Sequence, residues 1–160
     1  EIEFLLDEER KRLWDAAADI GACISFQMSP KHGRIINELA EKRPEINFIV
    51  DQVSAEVHRN SNLSGFVEAL SKRSNLYIKL NSVGQNSVQD YPFQDLWPFF
   101  KHVIDCFTPN RILYGTDFPH TLKTCSYLQA IEWIYELPFI SPEGVDLIKG
   151  ENARNLWDFL

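Results

Sequence analysis

A chain of 160 residues is long enough for one domain with a substantial core, and its 44% hydrophobic and 24% charged content is ordinary for a soluble globular protein. A formal net charge of -7 argues against a nucleic-acid-binding surface, which needs clustered Lys and Arg in a basic chain. No apolar run approaches the ~18 residues of a membrane span, and Cys23, Cys106 and Cys125 form no CxxC pair, which fits reduced thiols in a cytoplasmic protein.

The chain opens at Glu1 with no Met and no signal-like apolar stretch, so it is expected to lack its natural beginning. Asp7, followed by Glu8 and Glu9, reads as a helix start, with Leu13, Ala16, Ala17 and Ile20 on one face and Gly21 as the stop. Residues 22–27 read as a strand. Ser29-Pro30 opens a second helix, with Ile35, Ile36, Leu39 and Ala40 as its apolar stripe and Pro44 beyond its end. Ile46 to Val50 is a continuous apolar run of the kind found in strands buried on both faces. After the polar stretch 54–62 comes a helix carrying Phe66, Val67 and Leu70, then a third strand from Leu76 to Leu80, closed by Asn81-Ser82. An aromatic helix (Phe93, Trp97, Phe100, Ile104, Phe107) opens near Pro92. The fourth strand, Ile112 to Tyr114, runs through Gly115 to Asp117, with Phe118, Pro119 and His120 next, and helical segments at about 124–137, 142–149 and 151–159 finish the chain.

Strands alternating with helices imply a parallel α/β sheet. In such folds chemistry gathers at the carboxyl ends of the strands, which makes Asp117 a catalytic candidate. An Asp in that place also serves commonly as a turn or helix-capping residue, and the spacing alone does not choose between the two. Four strands suit either a small doubly wound sheet or half of a (β/α)8 barrel.

Several stretches carry a family likeness. Phe26-Gln27-Met28-Ser29-Pro30 with the helix behind it is similar to a fifth barrel strand. Phe48-Ile49-Val50-Asp51-Gln52 stands where the pattern reads "vlDH", Asn75 to Ser82 is similar to "nvyvKlSg", and Arg111 to His120 is similar to "RilyGtDfPh". The tail, Ile148 to Trp157, is similar to a closing "i..gNA.rlf" helix, with Gly150 expected to end one helix in a left-handed conformation and Asn152 to start the next. Together these make the chain resemble the amidohydrolase-related (β/α)8 barrels, which include lactonases, metal-dependent hydrolases and non-oxidative decarboxylases. The resemblance implies a TIM-barrel-like α/β fold in which residues 1–160 form, as a single domain, strands 5 to 8 and their helices.

In metal-dependent members two His from strand one, one each from strands five and six, and the strand-eight Asp surround one divalent ion. Here the strand-five and strand-six positions read Gln27 and Gln52, whose amide oxygens are weaker ligands than imidazole. The cofactor expectation is therefore none, or one Zn-like ion with Asp117 among its ligands. His58 falls in a loop, and His32 and His102 fall within helices, as solvated or packing residues. The resemblance implies Asp117 as the base that activates water and His120 as a residue that orients substrate or contacts the oxyanion. Gln27, Gln52 and Lys79 become substrate-binding candidates, while Asp51 is given a structural role. The expected activity is hydrolysis of a small oxygen-rich molecule such as a sugar lactone. The alternatives are metal-dependent hydrolysis or decarboxylation on the same barrel, a barrel that only binds, and an unrelated free-standing four-stranded domain. The expected partners are a small-molecule substrate, the missing amino-terminal half of the barrel and a second copy in a homo-oligomer, with no nucleic acid and no membrane. Alone, this stretch would expose two strand edges and is expected not to fold.

Overall fold

The computed structural model describes residues 2–27, 29–51 and 63–157; Gln52, His58 and the polar stretch 54–62 lie outside the described residues. Four strands, β1 (Cys23–Gln27), β2 (Asn47–Asp51), β3 (Leu76–Leu80) and β4 (Ile112–Tyr114), pair side by side in chain order. All three pairings are parallel, with Gln27 opposite Asp51, Val50 opposite Ile78 and Lys79 opposite Leu113. α1 (Lys11–Asp19) precedes β1, and α2 (Gly33–Lys42), α3 (Leu63–Ser71) and α4 (Trp97–Phe107) connect the strands. After β4 come α5 (Tyr127–Glu132), α6 (Pro142–Asp146), a single π turn (Leu147–Glu151) and α7 (Asn152–Trp157).

Strand side chains alternate between the two faces of the sheet, and here the two faces have different company. Phe48, Val50, Leu76, Ile78, Leu80 and Ile112 join one buried cluster with Trp14, Leu39, Val67, Leu70, Phe100, Val103 and Trp133 from the helices. The alternate positions, Gln27, Ile49, Asp51, Tyr77, Lys79 and Leu113, belong to the opposite face. This is a parallel α/β sheet in the form of a partial (β/α)8 barrel, and its four strands agree with the sequence reading to within a residue or two. Among the described residues, no helix is long and apolar enough to cross a membrane.

The ends of the strands where the chain enters are tied down by side-chain donors. Asn75 Nδ2 lies 3.1, 3.0 and 2.9 Å from the carbonyls of Ala40, Arg43 and Ile46. Arg111 donates to the carbonyls of Ser71, Arg73 and Leu76. Asn152 Nδ2 donates to those of Pro109 and Ile112, both at 2.7 Å. A buried carbonyl left without a donor costs on the order of 1–3 kcal/mol, so these three residues hold the turns in front of β2, β3 and β4. Near Cys23, at the start of β1, the Leu156 carbonyl of α7 accepts from Sγ at 3.6 Å.

Three local expectations are corrected. The first helix buries Trp14 (4% exposed) and Ala17, whereas Leu13 (55%) and Ile20 (80%) face outward, because Trp14 Nε1 is drawn onto the Leu5 carbonyl and turns that face to the core. Asp7 makes no side-chain capping bond, since two short 3-10 turns precede α1. Gly21, as expected, ends the helix at φ +63. Gly150 does not adopt a left-handed conformation; it lies inside the π turn that carries the chain into α7 without a break. Asn152, as expected, is the first residue of α7, and its amide is committed to the two carbonyls ahead of β4.

Candidate active site

β3 and β4 end side by side, and the chain leaves both through left-handed backbone. Ser82 has φ 51 and Asp117 φ 57, conformations that cost a residue with a Cβ and that concentrate at functional sites. Asp tolerates this region better than most residues, which suits it to a sharp exit from a strand. The Asp117 carboxylate accepts a hydrogen bond from the Ser82 hydroxyl, and its backbone carbonyl accepts from Thr121 N at 3.2 Å. Asp117 does not cap the following 3-10 turn, His120–Lys123, whose preceding residue is Pro119 and which has no side-chain cap.

Ser82, Gln85, Asp117, His120 and Lys123 line one shallow cleft of about 20 Å³ that opens to solvent. Asp117 is half-buried, and His120 is exposed at the rim. The loop that carries Ser82 and Gln85 away from β3 is anchored at its far end. There the indole nitrogens of Trp97 and Trp133 both donate to the Pro92 carbonyl, at 3.1 and 3.0 Å, and Ser87 Oγ bonds Asp95.

A second polar pair occupies the same sheet face. Lys79 Nζ lies 2.9 Å from Asp51 Oδ2, with side-chain exposures of 34% and 19%. Lys79 therefore takes the face opposite the helices, and Asp51 holds a basic group. Gly115 makes room for this arrangement: a Cβ there would meet Lys79 Cε at 3.1 Å. Gln27, exposed at the end of edge strand β1, is the register partner of Asp51. The structure thus brings Asp117 and His120 into one cleft and sets Lys79, Asp51 and Gln27 along the neighbouring strand ends, while Gln52 lies outside the described residues. Ser82 was not foreseen as a site residue. Its position two residues beyond β3 was the available signal, but nothing in Asn81-Ser82 announces a left-handed turn aimed at β4.

A divalent ion fits the described donors poorly. Among the described residues, no group of three or more His, Cys, Asp or Glu side chains could hold a metal ion. Asp51 is engaged by an ammonium group, and Gln27 offers an amide where imidazole would be the stronger ligand.

A family model described as Amidohydrolase matches residues 2–159. No curated protein matches the chain. Among solved structures, the chain is similar to an amidohydrolase from Burkholderia multivorans crystallised with bound zinc, at 13% identity and a TM-score of 0.84, over 98% of this chain and 60% of that one. It is also similar to a candidate 2-pyrone-4,6-dicarboxylic acid hydrolase from Pseudomonas putida, at 19% identity and a TM-score of 0.72, over 96% and 58%. A third is 5-carboxyvanillate decarboxylase from Sphingomonas paucimobilis, at 14% identity and a TM-score of 0.64, over 96% and 54%. The chain therefore spans about 60% of the length of the first structures it matches.

Proposed function

The chain belongs to the amidohydrolase family, and we propose that it supplies part of a hydrolase site acting on a small oxygen-rich molecule such as a sugar lactone. The carrying observation is a half-buried carboxylate, Asp117, presented at the carboxyl end of β4 and held from one side by Ser82, at the rim of an open cleft. That placement suits a general base. Asp117 takes a proton from water as the oxygen attacks the lactone carbonyl carbon. The ring C–O bond then breaks, and the proton on Asp117 passes to the departing alkoxide, leaving a hydroxy acid and a regenerated carboxylate.

The developing oxyanion needs donors, and the chain offers His120 at the cleft rim and the Lys79 ammonium on the same sheet face. Asp51 holds the Lys79 side chain in place, and the amides of Gln27 and Gln52 are suited to substrate hydroxyl groups. The test is acid release from a panel of sugar lactones, followed by pH-stat on the full-length protein. Turnover of at least one lactone, abolished in Asp117→Asn, is the expected result. No acid release from any lactone overturns the reading.

A further inference from the structure

Ser82 stands on the page as a residue whose backbone and side chain are at odds. Its φ of 51 is in the left-handed region, where glycine is the natural occupant and where a non-Gly residue without Asn or Asp chemistry pays a steric cost. Ser82 is buried at 6% exposure, and its hydroxyl donates to the Asp117 carboxylate. Asp117 is itself left-handed, which leaves its side chain without the support of regular strand geometry. The hydroxyl supplies that support from the neighbouring strand end.

We infer that Ser82 is a positioning residue: its hydroxyl, held in place by an unfavourable backbone conformation, fixes the orientation of the Asp117 carboxylate. The bond engages Oδ2, which leaves Oδ1 to meet the water that Asp117 would deprotonate. A carboxylate fixed at one oxygen is pre-organised for proton transfer at the other, whereas a freely rotating one must be ordered at each turnover. The Ser82 carbonyl accepts from Gln85 N at 2.9 Å, which closes a turn at the Ser82 end of this contact. The kinetic part of this inference rests on the reading of Asp117 as the base; the hydrogen bond itself does not.

Ser82→Gly is the informative variant, because glycine accepts the left-handed backbone while the whole hydroxymethyl side chain, and with it the hydrogen bond to Asp117, is removed. Melting temperatures are compared for the natural full-length protein, Ser82→Gly, Asp117→Gly and the double variant. Relief of backbone strain and loss of the hydrogen bond oppose each other in Ser82→Gly, so its melting temperature is expected to stay near that of the natural protein. In the Asp117→Gly background no bond remains to lose, and the same change is expected to raise the melting temperature. Equal increments in the two backgrounds would overturn the inference.

On a lactone substrate, Ser82→Gly is expected to lose kcat by on the order of 10- to 100-fold with KM little changed, a split that a merely structural role would not produce. An unchanged kcat would equally overturn it. If the natural protein turns over no lactone, the proposed function fails and the melting-temperature cycle alone decides the role of Ser82.

Discussion

The two ends of the sheet are built on opposite terms. At the entry ends of the strands, Asn75, Arg111 and Asn152 each answer two or three backbone carbonyls. At the exit ends, Ser82 and Asp117 sit in left-handed backbone, Lys79 and Asp51 form a partly exposed ion pair, and His120 is turned to solvent. One end ties its side-chain donors to backbone carbonyls; the other pairs side chain with side chain, in positions partly open to solvent. In barrel enzymes the entry face carries stability and the exit face carries chemistry, and the function proposed above would follow that division.

Breaking the entry end should cost the most stability. Asn75→Ala removes the side-chain donor that Ala40, Arg43 and Ile46 share, of which the Arg43 carbonyl keeps the Ile46 N–H, and is expected to lower the free energy of unfolding by about 3 kcal/mol, read from urea denaturation. Asn152→Ala removes one side of the clamp ahead of β4 and is expected to cost about 2 kcal/mol by the same measurement. Neither change should alter the chemistry of the exit end in protein that remains folded.

The exit end should respond the other way. The Lys79–Asp51 pair is partly exposed and screened, so Lys79→Met is expected to change stability by less than about 1 kcal/mol. Its expected cost falls on lactone turnover, where kcat/KM should drop roughly 100-fold for a charge that contacts the substrate or the developing oxyanion. A large loss of stability with unchanged turnover would reassign Lys79 to the scaffold.

A smaller effect comes from two tyrosines beside the core. Burial, reinforced by the Glu136 carboxylate that accepts from its hydroxyl, pushes Tyr91 up to about 12. Burial likewise pushes Tyr114 up, its hydroxyl being committed to the Ala130 carbonyl. A folded-state value above the ordinary Tyr value of about 10 means that the folded state binds the proton more tightly than the unfolded state. The stability this contributes is complete below about pH 10 and is lost as pH rises through the folded-state values. Melting temperatures between pH 9 and 12 should therefore fall, and Tyr91→Phe should soften the decline.

Much of the scaffold was legible in the residues. β-branched and aromatic runs bounded by polar turns gave β1 to β4, and the stripe of Ile35, Ile36, Leu39 and Ala40 gave the buried face of α2. The first helix misled because Leu13 and Ile20 look like core on periodicity, while the rotation of that helix was set by a tertiary bond from Trp14 to Leu5. Gly150 misled for a related reason: a π turn can absorb a glycine that local pattern would make a stop. Asp117 was legible because a strand followed by Gly and a lone carboxylate is a local pattern. Ser82 was not, because its meaning depends on the end of β4, more than thirty residues away in the chain. Lys79 lay between these cases: strand alternation offered two faces, and only the burial of Leu76, Ile78 and Leu80 decided which one it took.

The contrast between the two ends is tested most directly by Asp117→Asn in the full-length protein, with melting temperature and lactone kcat measured on the same preparation. The account predicts a melting temperature within a few degrees of the natural protein and a loss of kcat of about 1,000-fold or more. A variant that unfolds at a much lower temperature, or one that keeps natural kcat, would contradict it.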